Sequence, residues 1–382
     1  MRSNVRCVLA IVAATVCSMA VAARAEEPLV FISTFTAAKD GGAIRAFRLD
    51  RAGGKLKEIA RTPEVENCYF FTLSPDRKCL YAIHALDFEK ADSQVAAYAI
   101  DGATGRLKLL NRQSTRGATA CYLHVDSTAR TLLVANYTSG SVASLPVKQD
   151  GSLGEVVSLM QHAGRGADPE RQEGPHAHSI LTSPDNRFAM AADLGIDEVM
   201  VYQLNAAAST LRPHEKPSGS LPRGAGPRHM VFSPAGKHLY AINELGGSVT
   251  VFDYDPQTAA LVERQTISTL PRDFKGTNLC ADVKITPDGR CLYATNRGHD
   301  SLAAYRIGPD GRLTLIAIEP SMGKEAQNLA ITADGRLLLC ANLAGNNLAI
   351  FRINSETVRL TSLGDPISVP SPSCIRIVEG KD

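Results

Sequence analysis

The chain has 382 residues, enough for a large core in one or two domains, and its 41 basic residues nearly balance its 39 acidic ones. A formal net charge of +2 gives no electrostatic reason to expect nucleic acid or a polybasic membrane contact. Trp is absent and aromatics make up 5% of the chain, which argues against Trp-marked repeats such as WD40.

Residues 1–25 read as a secretory signal peptide. Arg2 and Arg6 give a positive n-region, Val8 to Ala22 is apolar but short for a membrane span, and Ala23-Arg24-Ala25 is an A-x-A site with cleavage expected after Ala25. Val16 before Cys17 is not the small residue that a lipoprotein signal needs. An exported, periplasmic protein with no membrane contact after cleavage is expected. Seven cysteines then remain: Cys68, Cys79, Cys121, Cys280, Cys291, Cys340 and Cys374. Cys68/Cys79 and Cys280/Cys291 share one spacing. In a hairpin register each pair is nonetheless offset by roughly 15–20 Å at about 3.3 Å per residue, and a disulfide needs Cα atoms within about 7 Å. Buried core thiols are expected instead.

In the mature chain the N-terminal segment offers strands at Leu29 to Ser33, Ala43 to Leu49 and Leu56 to Ala60. A turn element ending in a basic residue then recurs, with that residue at Lys78, Arg130, Arg187, Lys237, Arg290 and Arg336, spaced by 52, 57, 50, 53 and 46. Each turn lies between two β-rich runs, as in Met230-Val231-Phe232 and Leu239-Tyr240-Ala241-Ile242, which reads as a β-hairpin. Six residues after the basic residue stands His84, Asn136, Asp193, Asn243, Asn296 or Asn342. Most copies continue with a third and a fourth run, such as Val249 to Phe252 and Leu261 to Ile267. Four strands per 40–50 residues is the arithmetic of a β-propeller blade. Six turn elements make six blades. The N-terminal strands and the leftover run Ser373 to Val378 make a seventh, shared by both chain ends. The expected fold is therefore all-β, a seven-bladed propeller over residues 26–382. A β-sandwich pair and a six-bladed ring are the alternatives. Two connections are Gly-rich and polar, His162 to Gly174 and Pro217 to Gly226, and the first is expected to lie over one face of the disc.

The basic turn residue also serves as a ruler. Nine residues before it, at the open end of the innermost strand, stand Tyr69, Cys121, His178, Arg228, Ala281 and Gln327. Seven residues after it stand Ala85, Tyr137, Leu194, Glu244, Arg297 and Leu343. Antiparallel pairing puts both sets on one face. The reactive types cluster in three consecutive repeats: His178, then Arg228 with Glu244, then Arg297. Taken singly, each has a structural reading: a satisfied core histidine, a rim ion pair, a solvated arginine. In register on one rim they read as a site, and two arginines suggest an anionic ligand or a developing oxyanion. His176-x-His178 is a thin metal signal with no third ligand placed, and no phosphate loop, dinucleotide fingerprint or serine-nucleophile motif is present.

His178-Ser179, the stretch Gly224-Ala225-Gly226-Pro227-Arg228-His229, Asn243-Glu244-Leu245, Gln265 to Pro271, Asn296-Arg297-Gly298-His299-Asp300-Ser301 and Val369-Pro370-Ser371-Pro372 together resemble the lactonase family of seven-bladed propellers. That family includes the bacterial 6-phosphogluconolactonase type and is related to the fungal carboxy-muconate lactonising enzymes. The resemblance implies a catalytic group of His178, Arg228, Glu244 and Arg297, with His176 as the alternative histidine. It implies no metal and no cofactor. His176, His229, Asn243 and Asn296, beside these in the same motifs, are the candidate substrate-binding residues. The expected partner is a small-molecule lactone, with an anionic group as an option, and the expected state is a monomer. The export signal departs from a cytoplasmic sugar-phosphate enzyme and leaves the lactone open. The expected roles are His178 as general base, Arg228 and Arg297 on anionic groups and the oxyanion, and Glu244 orienting them or protonating the leaving alkoxide. A non-catalytic ligand- or protein-binding propeller, and a muconate-type lactonising enzyme, are the other readings.

Overall fold

The computed structural model describes residues 27–85, 92–215 and 219–379. The signal-peptide reading, and the start of the Pro217–Gly226 connection, lie outside them. Within them the strands form seven antiparallel sheets. The second blade holds Phe71–Leu73, Cys79–His84, Asp92–Ile100 and Leu107–Ala118; the third Ala120–Val125, Thr131–Asn136, Ser141–Pro146 and Ser158–Gln161. The fourth starts at Ala177–Thr182 and Phe188–Asp193, the fifth at Pro227–Phe232 and His238–Asn243, the sixth at Leu279–Ile285 and Cys291–Arg297, the seventh at Ala326–Ile331 and Leu337–Asn342. The first blade is composite: Leu29–Thr34, Ala43–Asp50 and Lys55–Pro63 pair with Pro372–Val378, which becomes its innermost strand. Each innermost strand packs on the next, and the ring closes where Pro372–Val378 meets Phe71–Leu73. The seven-bladed propeller is thus the observed fold, closed by both chain ends.

All six basic ruler residues stand one position before the second strand of a blade. The turn chemistry explains why. In four copies a Ser or Thr hydroxyl donates to an Asp two residues on: Ser74 to Asp76 at 2.7 Å, Ser183 to Asp185 and Thr286 to Asp288 at 2.6 Å, Thr332 to Asp334 at 2.5 Å. The same Asp accepts the backbone N–H of the basic residue. The residue between is left-handed in all six turns: Arg77, Ala129, Asn186, Gly236, Gly289 and Gly335. Gly and Asn suit that conformation, and Arg77 and Ala129 hold it against their Cβ.

The core lies between blades. One cluster joins Tyr240, Ile242 and Val251 of the fifth blade to Val283, Leu292 and Tyr305 of the sixth; another joins Leu133 and Val142 of the third to Ile180 and Ala191 of the fourth. Tyrosine does the job that Trp does elsewhere. Tyr81, Tyr240 and Tyr293 are fully buried, and their hydroxyls donate across to Gly151, Gly311 and Val358 carbonyls in the following blade. A phenol fills the interface and still satisfies its polar tip there. All seven cysteines among the described residues are free, and all but half-buried Cys79 are buried, as the offset register required.

Candidate active site

A β-bulge occupies the start of the innermost strand in blades three to seven. Pro227 faces Asn243 and Met230 faces Ala241, so Arg228 and His229 together oppose Ile242 alone. Ala281 and Asp282 oppose Thr295 in the same way. Cys121, His178 and Gln327 are the extra residues of their strands. A bulge turns its side chains out of the pleat and bends the strand. Here it delivers the ruler positions toward the axis of the ring.

Glu244 is the hub. Its Oε2 accepts from Arg228 Nε at 2.8 Å and from Arg297 Nη2 at 2.7 Å. Its Oε1 accepts from Arg171 Nη2 at 2.7 Å. His178 Nε2 stands 3.9 Å from Oε2. The four residues picked by the ruler therefore converge. Arg228 is fully buried, and its remaining donors reach Ala281 O at 2.6 Å, His229 Nε2 at 3.1 Å and the Tyr69 hydroxyl at 2.7 Å. Gln327 Nε2 donates to the same Tyr69 oxygen at 2.7 Å, and Arg297 Nη1 reaches Gln327 Oε1 at 3.3 Å. Arg228, Tyr69 and Gln327, from the fifth, second and seventh blades, thus span the axis and form a floor.

Burial opposes the charge on Glu244, but the guanidiniums of Arg297 and Arg228, and then that of Arg171, hold its carboxyl well below the usual carboxylate range. It is ionised at any working pH, so the expected option of Glu244 as proton donor to an alkoxide does not fit. Burial, then Arg228, pushes His178 well below the ordinary histidine value, against the pull of Glu244. His178 is a neutral imidazole here. Its Nδ1 lies 3.6 Å from the Cys121 sulfur.

His229 lies behind Arg228, not at the pocket surface. Its Nδ1–H donates to Asp282 at 2.9 Å, leaving Nε2 to accept from Arg228. Burial, then Arg228, lowers its pKa to about 3, so it too is neutral. His176 stacks on Tyr137 at 4.5 Å, with Nδ1 3.2 Å from Tyr137 O, at the edge of the pocket. Asn243 and Asn296 are not site residues in this geometry. Side chains alternate along a strand, so a pocket-facing Glu244 or Arg297 turns its neighbour inward. Asn243 Nδ2 donates to Ser248 and Thr250 hydroxyls at 2.9 Å. Asn296 Nδ2 donates to Thr269 O at 2.9 Å and Ser301 Oγ at 3.1 Å. Both brace their hairpins.

Sequence reading did not place Arg171 in the site. It named the loop that carries it but not its approach to Glu244. Tyr69, Tyr137 and Gln327 stood on the ruler without being chosen, because a phenol or amide shows no reactivity until its partners are known. Among the described residues no group of three His, Cys, Asp or Glu side chains is arranged to hold a metal ion, and no helix is long and apolar enough to cross a membrane.

Seven blades whose innermost ends bring Arg228, Arg297, Arg171 and His178 around Glu244 define a β-propeller with a charged cluster where its blades converge. The chain belongs to the lactonase family: the model described as Lactonase, 7-bladed beta-propeller, matches residues 29–377. It is 35% identical over 351 residues to the 6-phosphogluconolactonase of Bacillus subtilis, covering 91% of this chain and 97% of that one. A 6-phosphogluconolactonase of Formosa agariphila is 31% identical over 306 residues, covering 79% and 85%. The solved structure of a periplasmic gluconolactonase of Pseudomonas aeruginosa matches with a TM-score of 0.86 at 30% identity, over 93% of this chain and 99% of that one.

Proposed function

We propose that this protein hydrolyses a sugar lactone of the aldonolactone type to its open-chain hydroxy acid, without a metal ion, after export to the periplasm. The observation that carries the reading is the convergence of Arg228, Arg297 and His178 on Glu244 in a chain of the lactonase family. The ring ester needs three things: a base for water, positive charge at the carbonyl oxygen, and a proton for the leaving ring oxygen.

His178 is the base. It is neutral, and Glu244 at 3.9 Å favours the imidazolium that forms when it takes a proton from water. The water oxygen bonds to the lactone carbon, and the carbonyl oxygen becomes the oxyanion. Arg297 meets that oxyanion. It is less buried than Arg228, and its Nη1 makes only one long bond, to Gln327. Arg228 acts from beneath as fixed positive charge. When the bond from carbon to ring oxygen breaks, the imidazolium returns its proton to the ring alkoxide. The products are one hydroxyl and one carboxylic acid, which ionises in water. Glu244 keeps both arginines and the imidazole in place and exchanges no proton. The sugar-lactone substrate draws support from the relatives' names, and the periplasm from the Pseudomonas neighbour and the pattern of residues 1–25.

The test follows acid release by residues 26–382 in weak buffer with a chelator present, from glucono-δ-lactone and its 6-phosphate, with spontaneous hydrolysis subtracted. Acceleration that survives the chelator and is lost in Arg228→Ala and in Arg297→Gln, both shown to be folded by circular dichroism, is expected. Full activity in folded Arg297→Gln would remove the oxyanion role, and no acceleration on any lactone would favour a binding propeller.

A further inference from the structure

The three guanidiniums on Glu244 are not equivalent. Side-chain exposure rises from 0% at Arg228 to 17% at Arg297 and 34% at Arg171. Their spare donors rise in the same order. Arg228 spends its N–H groups on Glu244, Ala281 O, His229 and Tyr69. Arg297 spends Nε on Leu279 O, Nη2 on Glu244 and Cys280 O, and Nη1 on Gln327 Oε1 at 3.3 Å. Arg171 uses Nη2 alone, on Glu244 and, at 3.3 Å, on the Tyr137 hydroxyl. Its Nε and Nη1 have no protein acceptor among the described residues.

Arg171 is carried by a connection whose backbone is held rigidly. Gln172 is buried, its Nε2 donating to Leu194 O and Asp197 Oδ1 at 2.7 Å while its Oε1 accepts from Ala167 and Asp168 N–H. Asp197 also accepts from Gly224 and Gly226 N–H, which ties the connection to the segment leading into Arg228. Asp193 pins its two ends, accepting from His162 Nδ1 at 2.5 Å and from His176 N at 2.7 Å. A guanidinium with unused donors on a fixed support at the pocket edge is suited to a bidentate anion. Three arginines surround one buried carboxylate; of the acids in the same connection, Asp168 is occupied by the Glu170 and Arg171 backbone N–H groups and exposed Glu173 stands 3.3 Å from His176.

We propose that Arg171 is the specificity-determining residue of this site, binding through its free N–H groups an anionic substituent, phosphate or carboxylate, that the substrate carries away from its ring ester. This rests on the lactonase reading for the identity of the substrate. A neutral lactone leaves Arg171 on Glu244 and Tyr137, with Nε and Nη1 unused. An anionic one adds two charge-assisted hydrogen bonds at a point remote from the reacting carbon. Gln172 and Asp197 are positioning residues for it.

The experiment titrates residues 26–382 calorimetrically with three open-chain acids: gluconate, its 6-phosphate, and the dicarboxylate glucarate. Neither the lactone nor turnover is needed, so the outcome is separate from that of the hydrolysis assay. Wild type is expected to bind at least one of the doubly anionic acids ten times or more tighter than gluconate. Whichever gains affinity shows whether phosphate or carboxylate is the group read. Arg171→Gln is expected to remove that difference, bringing its affinities for the three acids within about twofold of one another. Arg171→Lys, which keeps the charge without the fork, is expected to restore part of it and guards against a folding defect in the glutamine variant. Equal affinity of wild type for all three acids would overturn the proposal. So would an equal loss on all three in both variants, since Arg171 would then act only as a support for Glu244. Glucono-δ-lactone hydrolysis measured on the same wild-type sample reports independently on the lactonase reading.

Discussion

His178 and Glu244 show how burial and neighbours set what a side chain can do. His178 is held neutral by desolvation and by Arg228, so its reactive form persists below the ordinary histidine range. The enzymatic rate, after subtraction of the spontaneous reaction, is therefore expected to show no decline near pH 6.5 and to fall only in more acidic buffer; a half-loss near pH 6.5 in the rate profile would assign the base elsewhere. The unfolded chain protonates its histidines near 6.5 while buried His178 and His229 do not, so stability falls as pH drops below that value, by about 1.4 kcal/mol per pH unit for each such group. Glu244 carries the opposite risk. Glu244→Gln keeps its shape but leaves Arg228 buried without a carboxylate, and removing one partner of a buried pair costs about 3–5 kcal/mol. Urea denaturation of that variant is expected to show the loss, together with failure of lactone hydrolysis.

The hairpin is the element that makes the site. Its turn and its bulge do separate jobs at opposite ends. The Ser/Thr-x-Asp turn sets the register in four copies, and the residue before the basic one is left-handed in all six. Arg77 is exposed and holds this conformation at φ 59°. Arg77→Gly removes its steric cost, and a gain of about 1 kcal/mol is expected in denaturant titration with no change in rate. The turn was legible in sequence because its chemistry is local. The bulge was not: it adds one residue to one strand, and counting along a chain does not show which residue is added. The ruler still found its occupants, since each bulge lies at the same distance from its turn. That regularity also misled. It placed Asn243 and Asn296 beside the substrate because they adjoin Glu244 and Arg297, whereas alternation along the strand turns them into the hairpin.

At the scale of the whole molecule, the site exists because the ring closes. Tyr69 and Gln327 meet Arg228 from the second and seventh blades, and the strand Pro372–Val378 lies between those two blades. Ser373 Oγ donates to Cys68 O at 2.8 Å, Ile375 N donates to Asn328 Oδ1 at 2.9 Å, and Asn328 Nδ2 continues to Asp282 at 2.7 Å. Cys374 and Ile375 are fully buried in this seam. A chain ended at Ser371 loses an entire innermost strand, with about 1.5–3 kcal/mol from Ile375 alone. It is expected to show neither a cooperative thermal transition nor lactone hydrolysis, whereas ending the chain after Glu379 leaves both intact.

The amino-acid sequence by itself determined the blade count, the shared first blade, the absence of disulfide geometry and the four residues that gather at the pocket. All of these follow from short-range rules: strand alternation, turn chemistry and a repeat that carries one register around the disc. Only the tertiary structure decided what those residues do. Arg171 reaches Glu244 across 73 positions and Tyr69 reaches Arg228 across 159, through packing that no local pattern encodes. The same packing removes water, and that is why a histidine is held neutral, a glutamate is held charged, and one arginine of three keeps donors to spare.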